Sequence, residues 1–166
     1  MNERDEPLAP GAAPATVDLP GRMILVVGPA GTTKDDVIAA ARAQLAGDDR
    51  WVFPRRIVTR PIAPRENAIG ADEASFLQVR ARGGFALAWT AGGAWYGIPA
   101  SVDADLARGS RVVIEAERSV IAAARRHWPD VTVIEIAAPG ATVGDGDPAT
   151  RRGGPLSAFL AAVLAA

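Results

Sequence analysis

A short apolar run, Met23 to Val27, ends at Gly28, and Pro29-Ala30-Gly31-Thr32-Thr33-Lys34 follow it. The run has the length of a buried strand, and the glycine bounds it. Beyond Lys34 the apolar period changes: Val37, Ala41 and Leu45 fall on one helical stripe, with Ile38 beside them. Strand, glycine-containing loop, lysine and helix in this order predict a βα unit of an α/β fold. A loop of this kind turns successive backbone N–H groups toward a phosphate. The helix N-terminus adds partial positive charge, and the lysine reaches the outer phosphates.

The spacing departs from the G-x-x-x-x-G-K-[ST] pattern of a P-loop at two positions. Thr33 stands where glycine is expected, and Asp35 stands where a hydroxyl would ligate Mg²⁺. A left-handed backbone at Thr33 would cost about 1–2 kcal/mol. Asp35 is still a hard oxygen ligand, but it brings negative charge toward the phosphates. The competing interpretation is an ordinary βα turn; the ordered set of strand, loop, lysine and helix favours phosphate binding. The residues that would cradle it are Gly28 through Asp35.

The 166-residue chain is 49% hydrophobic, which suits one domain with a core. A net charge of −1 gives no support for a nucleic-acid surface. The absence of cysteine removes disulfides and thiolate metal sites. No apolar run approaches the ~18 residues of a transmembrane helix. Residues 1–20 are acidic and rich in Pro and Ala, unlike a secretory signal, and read as a flexible tail. A cytoplasmic setting is expected; a homodimer is compatible with such a chain.

Strand and helix signals then alternate. Trp51–Arg60 is an edge strand or two short pieces, because Pro54 interrupts it. Pro61–Ala71 reads as a loop, and Asp72 as the N-cap of a helix to about Arg82 with Phe76, Leu77 and Val79 apolar. Phe85–Trp89 and Ala94–Ile98 form a hairpin about Gly92-Gly93. Ser101 is expected to cap a short helix carrying Val102 and Leu106. Arg111–Ala116 is a strand with Val112, Ile114 and Ala116 on one face and Val113, Glu115 and Glu117 on the other. Ser119 is expected to cap the next helix, whose last turn holds Arg125, Arg126 and His127. There His127 reads as a cation suited to the helix dipole rather than as a general base. Val131–Ala137 is a buried strand, 139–154 a glycine- and proline-rich loop, and Leu156–Leu164 a final helix. The alternation predicts one parallel or mostly parallel sheet.

The segments GPAGTTKD, RRIVTR, RENAIG, WTAGGAWYG and RVVIEAERS occur in that order. In this the chain resembles the guanylate-kinase-like branch of the P-loop kinases. Within that branch it is most similar to the ribose 1,5-bisphosphate phosphokinases of phosphonate catabolism, over about Met23 to Ala137. The resemblance implies a P-loop NTPase three-layer α/β fold with a mostly parallel sheet and a small acceptor-binding insertion. Residues 21–166 would form one domain, with about 51–100 as the acceptor region. It implies ATP and Mg²⁺ as cofactors and a sugar phosphate as the small-molecule partner, with no nucleic acid and no membrane.

Roles follow for matched positions. Lys34 and the amides of Gly31, Thr32 and Thr33 would hold the ATP phosphates, and the family carries an aspartate at the position of Asp35. Arg56, Arg60 and Tyr96 match acceptor-phosphate contacts, and Glu66 falls near an acidic loop residue. Guanidinium pairs bind phosphate bidentately, which makes Arg56 and Arg60 a chemically reasonable clamp; a solvated basic strand is the alternative. Glu115 ends a strand where a Walker-B-like carboxylate would sit, so Asp35 and Glu115 are the expected metal ligands. For Glu117, Mg²⁺ and helix-dipole roles stand equal. Leu87 occupies the place of the glutamate that reads guanine in guanylate kinases, and leucine accepts no N–H group.

Kinases of this family place an arginine-bearing lid helix after the position of Ala137, worth about 10³–10⁵ in rate. Here the segment is APGATVGDGDPATRRGG, without helical period. Arg151 and Arg152 are the only residues in it that would stand in as catalytic cations. Three functions stay open at this point: phosphorylation of ribose 1,5-bisphosphate to 5-phosphoribosyl 1-diphosphate, a catalytically impaired phosphate- or nucleotide-binding module, and a nucleoside monophosphate kinase of altered specificity.

Overall fold

The computed structural model describes residues 21–29, 34–136 and 155–165. The expected tail at 1–20, cradle residues Ala30, Gly31, Thr32 and Thr33, and the loop with Arg151 and Arg152 lie outside these residues.

Strand β1 (Arg22–Val27) is the centre of the molecule, and Met23 through Val27 are all fully buried. It lies between β7 (Arg111–Glu115) and β8 (Val131–Glu135) in a four-stranded parallel sheet whose other edge is β2 (Trp51–Val52), in the order β2-β7-β1-β8. Leu25 pairs with Ile114 on one side and Val133 on the other. Both faces of this sheet are covered, which explains a continuous apolar run in place of alternation. Met23, Leu25 and Val27 face a core with Val102, Leu106, Val120, Ala124 and Trp128. These residues belong to α3 (Ser101–Ala107) and to α4 (Ile121–His127) with its flanks. Ile24 and Val26 face Val37, Ile38 and Ala41 of α1 (Lys34–Gln44) and Phe159 and Val163 of α5 (Pro155–Ala165). Helix, sheet and helix form three layers, and β7 divides its residues between the two faces as the period-two pattern requires.

A second sheet, absent from the sequence expectation, has order β4-β3-β6-β5. Its strands are β3 (Arg56–Val58), β4 (Ala68–Gly70), β5 (Phe85–Ala91) and β6 (Ala94–Pro99). Only β3 and β4 run parallel; the other neighbours are antiparallel. The stretch with Pro54 is therefore two pieces in two sheets. β2 (Trp51–Val52) pairs with β7, whereas β3 joins the second sheet. The hairpin between β5 and β6 turns on Gly92 and Gly93 at φ of 56° and 78°, the left-handed pair that tight hairpins need. Helix α2 (Glu73–Ala81) covers this sheet through Phe76, whose ring stacks on Phe85 and Trp95 at 4.4 and 5.6 Å.

Several local expectations are corrected. β4 lies inside the expected 61–71 loop; three residues with Ile69 and Gly70 exposed carry no periodic signal. Leu77 and Val79 are 38% and 41% exposed, because α2 buries a single position, Phe76, on a narrow sheet. Asp72 does cap α2, accepting from the Ser75 amide at 2.8 Å. Ser101 is already helical and caps nothing, because the chain enters α3 directly from β6 with Ala100 in helical geometry. Ser119 likewise sits inside a 3-10 turn (Arg118–Val120) that precedes α4. β8 is half-buried rather than buried, because it is an edge strand.

Candidate functional site

The carboxyl ends of β1 and β7 open onto a cleft of about 750 Å³. Crevices at the carboxyl ends of parallel strands are where α/β sheets bind ligands. One wall carries Gly28, Pro29, Lys34, Asp35 and Glu115; Arg56 and Tyr96 of the second sheet, with Arg60 just after β3, line the other. The third side is Glu117, Arg118 and Ser119.

Lys34 opens α1 and is 8% exposed. Its Nζ donates to the carbonyl of Gly28 at 2.8 Å and lies 3.4 Å from Glu115 Oε1. The ammonium thus folds back over the turn after β1. Gly28 is required by close approach: a Cβ there would lie 2.5 Å from the carbonyl oxygen of Ile136.

Glu115 begins a chain of ion pairs that crosses the cleft. Arg56 Nη2 donates to Glu115 Oε2 at 3.0 Å and to Glu66 Oε1 at 3.2 Å. Arg60 grips Glu66 with both terminal nitrogens, at 2.9 and 2.7 Å, and its Nε donates to Tyr96 Oη at 2.9 Å. The Ala63 amide donates to the same carboxylate at 3.0 Å. The Arg56 and Glu66 side chains are only 5% and 2% exposed. Charges so buried persist only when each has partners, and here each does. In this chain of pairs Lys34, Arg56 and Arg60 meet Glu66 and Glu115, while Asp35, Glu117 and Arg118 also line the cleft.

Titration follows from these contacts. Burial pushes the Glu66 carboxyl up, but the Arg60 hydrogen bonds, the Ala63 amide and the nearby Arg56 outweigh it and hold it low. The pairing with Glu66 raises Arg60 further. Burial, and then the adjacent Glu115 carboxylate, push Asp35 up to about 6 against the pull of Arg56. Asp35 and Glu115 are the carboxyls that could hold a divalent cation here, with both Glu115 oxygens in contact with Lys34 and Arg56. Among the described residues no group of three or more His, Asp or Glu is placed to hold a metal. An ion here would complete its shell with water and ligand oxygens, as Mg²⁺ commonly does.

Of the residues expected from sequence, Gly28, Pro29, Lys34, Asp35, Arg56, Arg60, Tyr96 and Glu115 line one cleft. Glu66 lies beneath the arginines, with both oxygens occupied. Leu87 pairs with Ile98 and packs on the main core. His127 lies 3.2 Å from Asp103, which also accepts from Trp128 Nε1, away from the cleft. Arg118 and Ser119 were not expected at the site. Their signal was position alone, immediately after Glu115 at a strand's carboxyl end. Arg118 pairs there with Glu135.

No family model matches the chain. It is 47% identical over 121 residues to the ribose 1,5-bisphosphate phosphokinase PhnN of Methylobacterium radiotolerans, covering 73% of this chain and 69% of that protein. It is 44% identical over 119 residues to the protein of the same name from Acidiphilium cryptum, covering 72% and 64%. A bifunctional ribose 1,5-bisphosphokinase-thymidine phosphorylase of Azorhizobium caulinodans is 38% identical over 128 residues, 75% of this chain and 18% of that one. The alignments to the Methylobacterium and Acidiphilium proteins thus span about two thirds of their length. The guanylate kinase of Anaplasma phagocytophilum superposes with a TM-score of 0.52 at 17% identity, over 70% of this chain and 60% of that one, a likeness of fold.

Proposed function

The chain belongs to the ribose 1,5-bisphosphate phosphokinase family, and on that premise we propose that it transfers the γ-phosphoryl of ATP to ribose 1,5-bisphosphate, giving 5-phosphoribosyl 1-diphosphate and ADP. The observation that carries this reading is the chain of contacts Lys34–Glu115–Arg56–Glu66–Arg60, which joins the two walls of one cleft. Phosphoryl transfer asks a protein chiefly for positioning and for positive charge.

Lys34, at the turn after β1, serves the donor phosphates. Arg60 and Tyr96, with Arg56 behind them, serve a phosphate of the acceptor. An acceptor oxygen attacks the γ-phosphorus, the new P–O bond forms as the bond to ADP breaks, and the electron pair leaves on ADP. Mg²⁺, held by Asp35 and Glu115 through water, would supply further charge neutralisation. Leu87 lies in the core and offers no acceptor to a purine edge, which suits a base-free sugar phosphate. In this reading residues 21–166 are one kinase-like domain, and the second sheet, within about 51–100, is its acceptor region. Among the described residues no helix is long and apolar enough to cross a membrane; a cytoplasmic setting, where ATP is available, fits the reading.

The test is ADP release from ATP and ribose 1,5-bisphosphate, with product identified by phosphorus NMR and Lys34→Ala as control. Turnover well above the control supports the reading. Binding of both ligands without turnover would replace it with a non-catalytic binding module, and turnover only with nucleoside monophosphates would replace the acceptor.

A further inference from the structure

We propose that Asn67 is a positioning residue that holds the acceptor arginines in register with the helix carrying Lys34. The inference rests on the phosphokinase reading for its substrates, but not for its geometry. Asn67 is half-buried and lies outside the large cleft. Its Nδ2 donates to the carbonyls of both Phe53 and Pro54, at 3.2 and 3.1 Å. Its Oδ1 accepts from Arg42 Nη1 at 2.7 Å, and its backbone carbonyl accepts from the Arg56 amide at 3.2 Å. Every donor of the side chain is used.

Each contact ends on a different part of the machine. Phe53 and Pro54 are the crossing between the two sheets, after β2 and before β3. Arg42 belongs to α1, whose first residue is Lys34. Arg56 and the neighbouring Glu66 form the acceptor side. On the far side of Glu66, Arg65 pairs with Asp36 of α1 at 3.0 Å. Arg65 also takes φ of 67°, left-handed for a residue with a Cβ, at a cost of about 1–2 kcal/mol. That turn sends residues 65 and 67 to α1 and residue 66 to the arginines. Between α1 and this turn the free space is about 10 Å³, bordered by Asp35, Arg42, Arg56, Asn67 and Glu115. That is room for roughly one water in this pocket.

The Asp36–Arg65 pair does not explain the register. Its side chains are 57% and 75% exposed, and such pairs contribute about 0–1 kcal/mol. Asn67 is tied on three sides and half-buried, with its bond to Arg42 at the surface and its bonds to Phe53 and Pro54 part-buried. Misplacement of a reacting group by about 1 Å can cost on the order of 10²-fold in rate. An aspartate at this position keeps the shape and an acceptor for Arg42, but it loses both N–H donors and turns an oxygen toward two carbonyl oxygens, so it cuts the tie to the crossing between the sheets.

The test compares full-length wild type, N67D, N67A, R42A and N67A/R42A in kcat, both KM values and thermal melting. N67D should fold cooperatively, lose about tenfold or more in kcat, and keep KM for ATP within about threefold. N67A and R42A should each lower kcat, and the double variant should be no worse than the stronger single one. R42K should recover part of the R42A loss. Should N67D not fold, R42A, which removes a surface cation, carries the same expectation. Folded variants with kcat within about twofold of wild type, or losses that add fully, overturn the proposal. Should wild type itself not turn over, the phosphokinase reading fails separately. Titration of ribose 1,5-bisphosphate with and without a non-hydrolysable ATP analogue then decides: coupling between the ligands in wild type that N67D and R42A abolish supports Asn67 as positioning residue, and equal or absent coupling in all overturns it.

Discussion

Lys34 and Glu115 face each other at 3.4 Å across the floor of the cleft, and the same ammonium donates to the Gly28 carbonyl at 2.8 Å. The lysine is thus tethered over the turn that would receive phosphate, and a ligand takes it over from a carboxylate that retains Arg56. Lys34→Met should therefore lower kcat/KM by about 10²–10³, the scale for removing one preorganised charge contact. The melting temperature should fall less than on removal of Arg56, since Lys34 meets one carboxylate and Arg56 meets two. Steady-state kinetics with a parallel melt would check this. A variant as active as wild type would remove Lys34 from the site.

Arg56 bridges two carboxylates and is almost wholly buried, whereas Arg60, 34% exposed in its side chain, reaches water. Arg56→Ala leaves Glu66 and Glu115 each short of a buried partner. Breaking such a pair costs about 3–5 kcal/mol. Arg60→Ala should cost less stability and act mainly on KM for the acceptor. Urea denaturation of both variants decides between them: equal losses would show that the buried bridge is not the stabilising part of the network.

The fold was legible where one physical signal dominated. The run at Met23–Val27 identified a strand covered on both faces, and Gly92-Gly93 identified a hairpin, because only glycine takes two left-handed residues so readily. The second sheet was not legible. Its hairpin was expected, but the pairing that builds the sheet joins β3 to β6, distant in sequence, and β4, at three residues, is held by pairing with β3 rather than by its own propensity. The serine caps failed for a related reason: a hydroxyl caps only where the chain enters extended, and Ala100 enters α3 already helical. At the site, residue types suggested an anion clamp, but the partners of Arg56 come from positions 66 and 115. Which carboxylate meets which guanidinium is set by how the two sheets join, and local spacing does not encode it.

Asp35 offers a pH signature. Its folded-state value of about 6 lies above the usual 3.8, first because of burial and next because of Glu115. Between about pH 4 and pH 6 the folded form binds more protons than the unfolded form. Stability from this group is therefore greatest below about pH 4, declines as pH rises toward 6, and levels off above it. Asp35→Asn should remove that decline, so its advantage over wild type should grow from pH 4 to pH 7. Urea midpoints of both proteins at pH 4, 5, 6 and 7 measure it. A constant difference would mean that Asp35 titrates alike in the folded and unfolded chain.

Gly28 and Gly47 provide a matched pair for the close approach at the turn after β1. A methyl group at Gly28 would come 2.5 Å from the Ile136 carbonyl oxygen and 3.3 Å from Lys34 Cδ, while one at Gly47 meets nothing within 4 Å. The first obstacle is backbone of β8's end, which is itself bonded to β1 by Ile136 N to Val27 O at 2.8 Å. The strands cannot separate without losing that bond, so Gly28→Ala should cost about 1–3 kcal/mol through overpacking. It should also lower affinity for ATP, because Lys34 must shift with the turn. Gly47→Ala, in open space after α1, should be neutral or stabilising by up to about 1 kcal/mol through the unfolded chain. Thermal melts and ATP titrations of the two variants check both halves. If Gly28→Ala behaves like Gly47→Ala, the turn after β1 is roomier than its geometry requires, and its role as a tight phosphate seat is lost.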